Sequence, residues 1–227
     1  MDAGGMTRLL FVHLAKTGGI SVRRILKASK KVNSFDCIHN HFLLRFQYGR
    51  RVERRRLSTN EIGPYPLAFL MVRHPLERLI SCHSYFSAGG LNAQAPDKRF
   101  PADQLAQQFI QQLAPSLEQC CHQLPEIAEH LPHFKPMSFW LDALPNPLAD
   151  RVFTGRQENF DADLKLLFHQ LQVPLDPVLL QRCNSSGPKK ISLTSMAELS
   201  TDALAKLQVF YAEDFRRFNY SLKLEAD

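Results

Sequence analysis

Arg8-Leu-Leu-Phe-Val-His-Leu-Ala-Lys-Thr-Gly-Gly-Ile-Ser21 is the stretch that decides the fold. Its first half, Arg8 to Leu14, is a nearly continuous apolar run bounded by a glycine pair, the pattern of a strand buried on both faces of a parallel sheet. After Gly18-Gly19, the apolar Ile20, Val22, Ile25 and Leu26 recur at helical spacing, and Arg23, Arg24 and Lys27 gather toward the end that the helix dipole favours for cations. The order is strand, glycine turn, helix. It recurs at Leu67-Ala-Phe-Leu-Met-Val72, a second buried strand, where Arg73-His74-Pro75 turns into a helix over residues 76–86 with proline near its first turn. Two such units imply an α/β sheet.

The rest of the chain is consistent with that class. Residues 101–131 are helical in pattern but interrupted by Pro115 and Pro125, which predicts short helices. Pro132, Pro136, Pro145 and Pro147 mark an irregular stretch before a last short strand at Arg151-Val-Phe-Thr154. Residues 161–173 and 201–218 are predicted as closing amphipathic helices, the second with Leu204, Leu207, Phe210, Tyr211, Phe215 and Phe218 along one stripe. At 227 residues with 44% hydrophobic and 22% charged, the chain excludes disordered, collagenous and disulfide-scaffold proteins. Its 28 Lys+Arg against 22 Asp+Glu bias it toward anionic partners.

Compartment follows from two absences in the pattern. Cys37, Cys82, Cys120, Cys121 and Cys183 are an odd number without framework spacing, so a reduced compartment is expected. No apolar run approaches the roughly 18 residues of a membrane span, and Met1-Asp2-Ala3-Gly4-Gly5 does not open like a signal peptide. A cytoplasmic protein without a membrane partner is expected.

The turn Ala15-Lys16-Thr17-Gly18-Gly19-Ile20-Ser21 lies where a strand hands over to a helix, the place at which free backbone N–H groups and the helix dipole make an anion site. Lys16 adds a point charge, and Thr17 and Ser21 add hydroxyls. The lysine precedes the glycine pair, so the order is not that of a Walker loop. An ordinary βα turn with a solvated lysine is the alternative. At the second turn, Arg73 stands at a strand C-terminus and Ser81 about two turns into the next helix, both suited to one phosphate. The alternative there is that Arg73 and Arg78 pair with Glu77 or a helix end.

Together these segments resemble the paired cofactor signatures of the Golgi-type carbohydrate sulfotransferases and their bacterial relatives, the group of the heparan sulfate 2-O- and 6-O-sulfotransferases. Phe11 to Ser21 resembles their "hIPKTGGTS" loop for the 5′-phosphosulfate, and Val72 to Ser81 their "lRdPveRfiS" element for the 3′-phosphate. Gly155-Arg-Gln-Glu-Asn159 with Asp163 is similar to "GrfEnleeD", Asn184-Ser185-Ser186 to "lNxS", and Tyr211-Ala-Glu-Asp-Phe215 with Phe218-Asn-Tyr220 to "YaeDfelFgY". Ala15, Ile20 and His74 depart from the usual proline, threonine and acidic or amide residue.

The resemblance implies a P-loop-like three-layer α/β fold with a central parallel sheet flanked by helices, in a single domain over residues 1–227. It implies transfer of a sulfuryl group from 3′-phosphoadenosine 5′-phosphosulfate to a hydroxyl, with a carbohydrate as the expected acceptor. Cofactor contacts fall to Lys16, Thr17, Gly18, Gly19, Ile20, Ser21, Arg73 and Ser81, with Lys16 stabilising the leaving oxygen. His41-Phe42 matches a family "gHf" element, so His41 is the expected base and His39 the reserve. His133, in His133-Phe-Lys-Pro-Met137, resembles "HxrPq" and is expected on the acceptor side with His39.

Other uses of these residues are open to the sequence. Cys37, His39 and His41 alternate on one strand face, but no paired metal-ligand spacing occurs, and no metal is expected. Arg50-Arg-Val-Glu-Arg-Arg-Arg56 is either a steering patch for an anionic acceptor or a solvated helix face. Nucleic acid is not expected, since interleaved aromatics and known binding motifs are missing. The competing functions are a nucleotide-dependent kinase-like phosphotransferase, which the lysine order disfavours, and a non-catalytic binder of adenosine bisphosphate or another anion.

Overall fold

The computed structural model describes residues 9–29, 32, 34–39, 42–56, 65, 67–91, 100–144, 152–184 and 199–222, with backbone alone over 181–184. The contacts divide the chain into two compact units, residues 1–73 with 140–189, and residues 74–139 with 190–227.

The first unit is built on a six-stranded sheet. Its strands are β1 (Leu9–His13), β2 (Ser34–His39), β3 (Phe42–Gln47), β4 (Arg50–Arg56), β5 (Leu67–Val72) and β6 (Val152–Arg156), in the order β4-β3-β2-β1-β5-β6. β1 pairs in parallel with β2 on one side and β5 on the other, and β5 pairs in parallel with β6. The expected α/β class is therefore present. The apolar run of β1 has its predicted reason, since all five residues are buried and both faces are covered.

Beside this parallel part, β3 and β4 add to β2 an antiparallel extension that the sequence pattern does not predict. The basic run at residues 50–56, read as a possible helix face, is instead the edge strand β4. Tyr48 at φ 46° and Gly49 at φ 75° make the two-residue turn that joins β3 to β4, both in the left-handed region that such a hairpin requires. A side chain at Gly49 would meet the Lys27 carbonyl at 2.6 Å, a second reason for glycine there. Across the extension, Arg45 pairs with Asp36 at 3.1 Å and with Glu53 at 3.0 Å, and Arg55 pairs with Glu53 at 3.2 Å. The Tyr65 hydroxyl also donates to Asp36. Alternating charge thus ties three strands together and prevents the arginines from repelling one another along the edge.

One face of the sheet is covered by α1 (Gly19–Ala28), α7 (Phe160–Gln170) and α8 (Pro177–Asn184). Val22, Ile25 and Leu26 of α1 and Leu164, Leu167 and Phe168 of α7 pack against Phe11, Phe35, Phe46 and Phe69. Each such buried side chain contributes roughly 1.5–3 kcal/mol. The last strand, predicted to start at Arg151, is described from Val152 and runs on to Arg156. Gly155 permits this close packing: a Cβ there would lie 2.7 Å from Met71 Sδ and 3.2 Å from Asp163 Cβ.

The second unit is helical. It holds α2 (Pro75–Ser87), α3 (Pro101–Leu113), α4 (Leu117–His122), α5 (Leu124–His130), a 3-10 turn (Pro132–Phe134), the start of α6 (Met137–Asp142), α9 (Thr201–Phe210) and α10 (Ala212–Arg217). The prolines punctuate it as expected, with Pro101 and Pro125 at helix starts. The predicted helix over 201–218 is in fact α9 and α10, broken at Tyr211, whose φ of −100° and ψ of 20° leave the helix. The break lets its hydroxyl donate to the Phe134 carbonyl at 2.8 Å inside the core of Leu79, Phe86, Ile110, Ile127 and Leu207.

The closing segment matched by "YaeDfelFgY" is structural in this unit. Asp214 is fully buried and accepts from the Met137 and Ser138 N–H groups at 2.8 and 2.7 Å. His74 Nε2 donates to the Ser221 carbonyl at 2.7 Å, and its ring meets Phe215 and Tyr220 edge-on. Replacing Asp214→Ala leaves two buried N–H donors without that carboxylate, and a loss of about 3 kcal/mol is expected in a denaturant titration. Wild-type stability in this variant would show that the carboxylate does not hold the segment.

Candidate functional site

The register of the first unit brings the C-terminal ends of four parallel strands to one edge. β1 ends level with β2, His13 opposite His39, and β5 ends level with β6, Val72 opposite Arg156. The chain leaves β1 into the turn 14–18, and leaves β5 at Arg73. Open α/β sheets bind ligands at such an edge.

The turn has a specific shape. Lys16 sits at φ 65° and Gly18 at φ 84°, so two left-handed residues stand two positions apart. Turns of this kind curl successive N–H groups toward a common concavity that accepts an anion. Gly18 is the N-cap of α1, with no side-chain cap. The N–H groups of the first helical turn have no intrahelical acceptor and carry the positive end of the dipole. Thr17 is fully buried, and its hydroxyl donates to the Leu14 carbonyl at 3.1 Å, bracing the turn. Ile20 is half exposed at the turn's rim, and Ser21 is partly buried in the first helical turn.

Glycine is required at both positions after Thr17. A Cβ at Gly18 would lie 3.4 Å from Gln157 Cγ and from Phe160 Cε2, and a side chain at its φ is strained. Gly19 is more tightly confined: a Cβ there would fall 2.0 Å from His13 Cδ2. His13, which the sequence reading passed over, is a buried imidazole at the end of β1, stacked on the His39 ring with centroids 4.6 Å apart. A polar residue closing an otherwise apolar strand was the available signal.

His39 is partly buried. Burial foremost, and then the guanidinium charges of Arg23 and Arg54, hold its imidazole below its ordinary pKa. It is consequently neutral at pH 7 and able to accept a proton. Cys37, two residues earlier, has its thiol pushed up to about 12 by burial, so it is protonated at neutral pH. Among the described residues no group of three metal-ligating side chains occurs.

Arg73, partly buried, follows β5, and Arg156 ends β6 beside it. The Arg156 N–H donates to Asp163 at 2.6 Å, which accounts for the acid at the end of the motif starting at Gly155. Lys16, Thr17, Gly18, Gly19, Ile20, Ser21, His39 and Arg73 thus all belong to the first unit, while Ser81 and His133 belong to the second. Ser81 lies partly buried on α2. His133 packs its ring on Phe86 at 5.1 Å, and its carbonyl accepts from the buried Arg78 at 2.6 Å. Arg78 thus ties α2 to the turn at His133. His41, the expected base, lies outside the described residues, as do Ser185 and Ser186.

A parallel strand, a glycine turn with left-handed residues and an uncapped helix N-terminus meet at this edge of an α/β sheet. The family comparison makes that specific: residues 5–221 match the model described as the sulfotransferase family, and the chain belongs to that family. Neither a search of curated proteins nor one of solved structures gave a match. The chain is a transferase of sulfuryl groups. No described helix is long and apolar enough to cross a membrane.

Lys16 holds a conformation that costs a non-glycine residue roughly 1–2 kcal/mol. Lys16→Gly is accordingly expected to leave stability unchanged or raise it by up to about 1 kcal/mol, while weakening anion binding. A denaturation midpoint that drops would show that the lysine stabilises the fold rather than serving the site.

Proposed function

We propose that this sulfotransferase is one catalytic domain over residues 1–227 that takes its sulfuryl group from 3′-phosphoadenosine 5′-phosphosulfate and passes it to a hydroxyl of an anionic carbohydrate. The observation that carries the reading is the turn 15–18, whose two left-handed residues, Lys16 and Gly18, lead the chain into the uncapped N-terminus of α1, with Gly19 pressed so closely on His13 that no side chain fits there. Bound there, the donor supplies an activated sulfuryl group on a phosphate leaving group.

The chain's own residues do the rest. The turn's N–H groups and Lys16 face the 5′ end, and Lys16 offsets charge gathering on the bridging oxygen. Arg73 suits the 3′-phosphate because a guanidinium can hold it with two parallel hydrogen bonds. An imidazole takes the acceptor's proton, His41 by resemblance and His39 in reserve; the depressed pKa of His39 supports a neutral imidazole in this neighbourhood. Sulfuryl transfer through a loose transition state asks mainly for alignment and charge neutralisation, which lysine and backbone N–H groups supply without a metal. For Ser81 on the 3′-phosphate, and for His133 on the acceptor side, the resemblance alone supports the role.

β4 supports an anionic acceptor. Arg50, Arg51, Arg54 and Arg56 are exposed along one edge strand, and Arg54 stacks on the Phe42 ring at 4.1 Å, beside the β2 end. Such a row raises the local concentration of a polyanion by steering.

Calorimetry with 3′,5′-adenosine bisphosphate and with ATP·Mg²⁺ tests the donor. The bisphosphate is expected to bind more tightly, and Lys16→Ala and Arg73→Ala to weaken it about tenfold or more, the ~1.5–3 kcal/mol of a charged hydrogen bond. Preference for ATP·Mg²⁺ would favour a kinase. Bisphosphate binding without sulfuryl transfer to any glycan hydroxyl would favour a non-catalytic binder, motivated by Ala15, Ile20 and His74.

A further inference from the structure

His13 closes β1 with only 8% of its surface exposed, and its imidazole has neighbours on three sides. Against its edge lies the backbone of Gly19, where an added Cβ would fall 2.0 Å from Cδ2 and 2.4 Å from Nε2. The His39 ring stacks at 4.6 Å and 29°, and the Phe11 ring at 5.7 Å and 16°. The row continues from Phe11 to Phe69 on β5 and from there to Phe153 on β6, each at 5.7 Å. A flat ring therefore spans from the first residue of α1 to the end of β2, on top of an aromatic row that crosses the sheet. An aliphatic side chain would not offer a flat face to His39 and a thin edge to Gly19 at once.

We propose that His13 is a positioning residue whose ring holds the Gly19 peptide and the His39 imidazole in one stack, setting the anion-binding turn and the acceptor side at a fixed separation. The inference rests on the reading of the turn 15–18 as the donor site. His13 touches neither donor nor acceptor in this role and acts through Gly19 and His39. His39 is also faced by Arg23 of α1 and Arg54 of β4, and Phe42 of β3 lies opposite it in the hairpin. Burial is the foremost cause of its lowered pKa, so opening the face that His13 covers should bring water to the ring and raise the pKa. The two arginines remain, so the return toward the ordinary value is partial.

The variants His13→Phe, His13→Ala, Gly19→Ala and the double variant His13→Ala/Gly19→Ala test the stack. The His39 titration is followed by NMR, assigned with His39→Gln, together with thermal midpoints and calorimetry using 3′,5′-adenosine bisphosphate. His13→Phe keeps a flat ring and should hold the His39 midpoint and bind the bisphosphate within about twofold of wild type. His13→Ala should raise the His39 midpoint and weaken binding about tenfold. Gly19→Ala should lower both affinity and thermal midpoint, and the double variant, which has room for the new methyl, should recover part of each. An unchanged His39 midpoint in His13→Ala, or a double variant no better than Gly19→Ala, overturns the proposal. Failure of the wild type to bind the bisphosphate would instead overturn the donor assignment, and the titration and thermal midpoints would still decide the stack.

Discussion

The parallel pairing of β1 with β2 on one side and β5 on the other is the constraint from which the rest follows. Parallel neighbours must all leave the sheet in the same direction, and the chain must cross back before starting the next strand. The turn after β1, the hairpin end of β2 and the exit of β5 therefore converge on one edge, whatever lies in the intervening segments. α1 is the first crossover, and its N-terminus is fixed immediately above the strand that precedes it. Glycine at 18 and 19 follows from this, because a left-handed residue must turn the chain and the next must pass over a histidine ring.

The same constraint sorts the basic residues. The excess of cations read from composition has no single destination. Arg78 is buried and serves a carbonyl within the helical unit. Arg45 and Arg55 are spent on Asp36 and Glu53 in the antiparallel extension. Lys16, Arg73 and Arg156 stand at strand ends, and the exposed arginines of β4 form a row on the sheet's edge. Charge at an edge that backbone N–H groups also face is informative, whereas net charge is not.

Much of the parallel architecture was legible in the sequence. Nearly continuous apolar runs at residues 9–14 and 67–72, each followed by a turn and a helical repeat, have few alternatives to a buried parallel strand. The extension β3-β4 was not legible, because residues 50–56 carry no alternating apolar face and the Tyr48-Gly49 turn is a weak hairpin signal. The site was legible in part. Lys16 and Arg73 stand out by their place after strands, whereas the polar His13 closing an apolar strand and Arg156 inside a longer motif are weaker signals. Motifs that looked functional proved partly structural: Asp163 holds the Arg156 N–H, and Asp214 holds the start of α6.

By itself the sequence determined the α/β class, the place of the phosphate-type turn, and the ordered motifs of a sulfotransferase, because these depend on local runs and spacings that the chain carries in one dimension. Tertiary structure alone decided that a histidine ring underlies Gly19 and stacks on His39, that the arginine run is an edge strand, and that burial holds His39 below its ordinary pKa. Each of these depends on residues far apart in the chain meeting across strands, and burial and Coulomb interaction are set by that meeting rather than by composition.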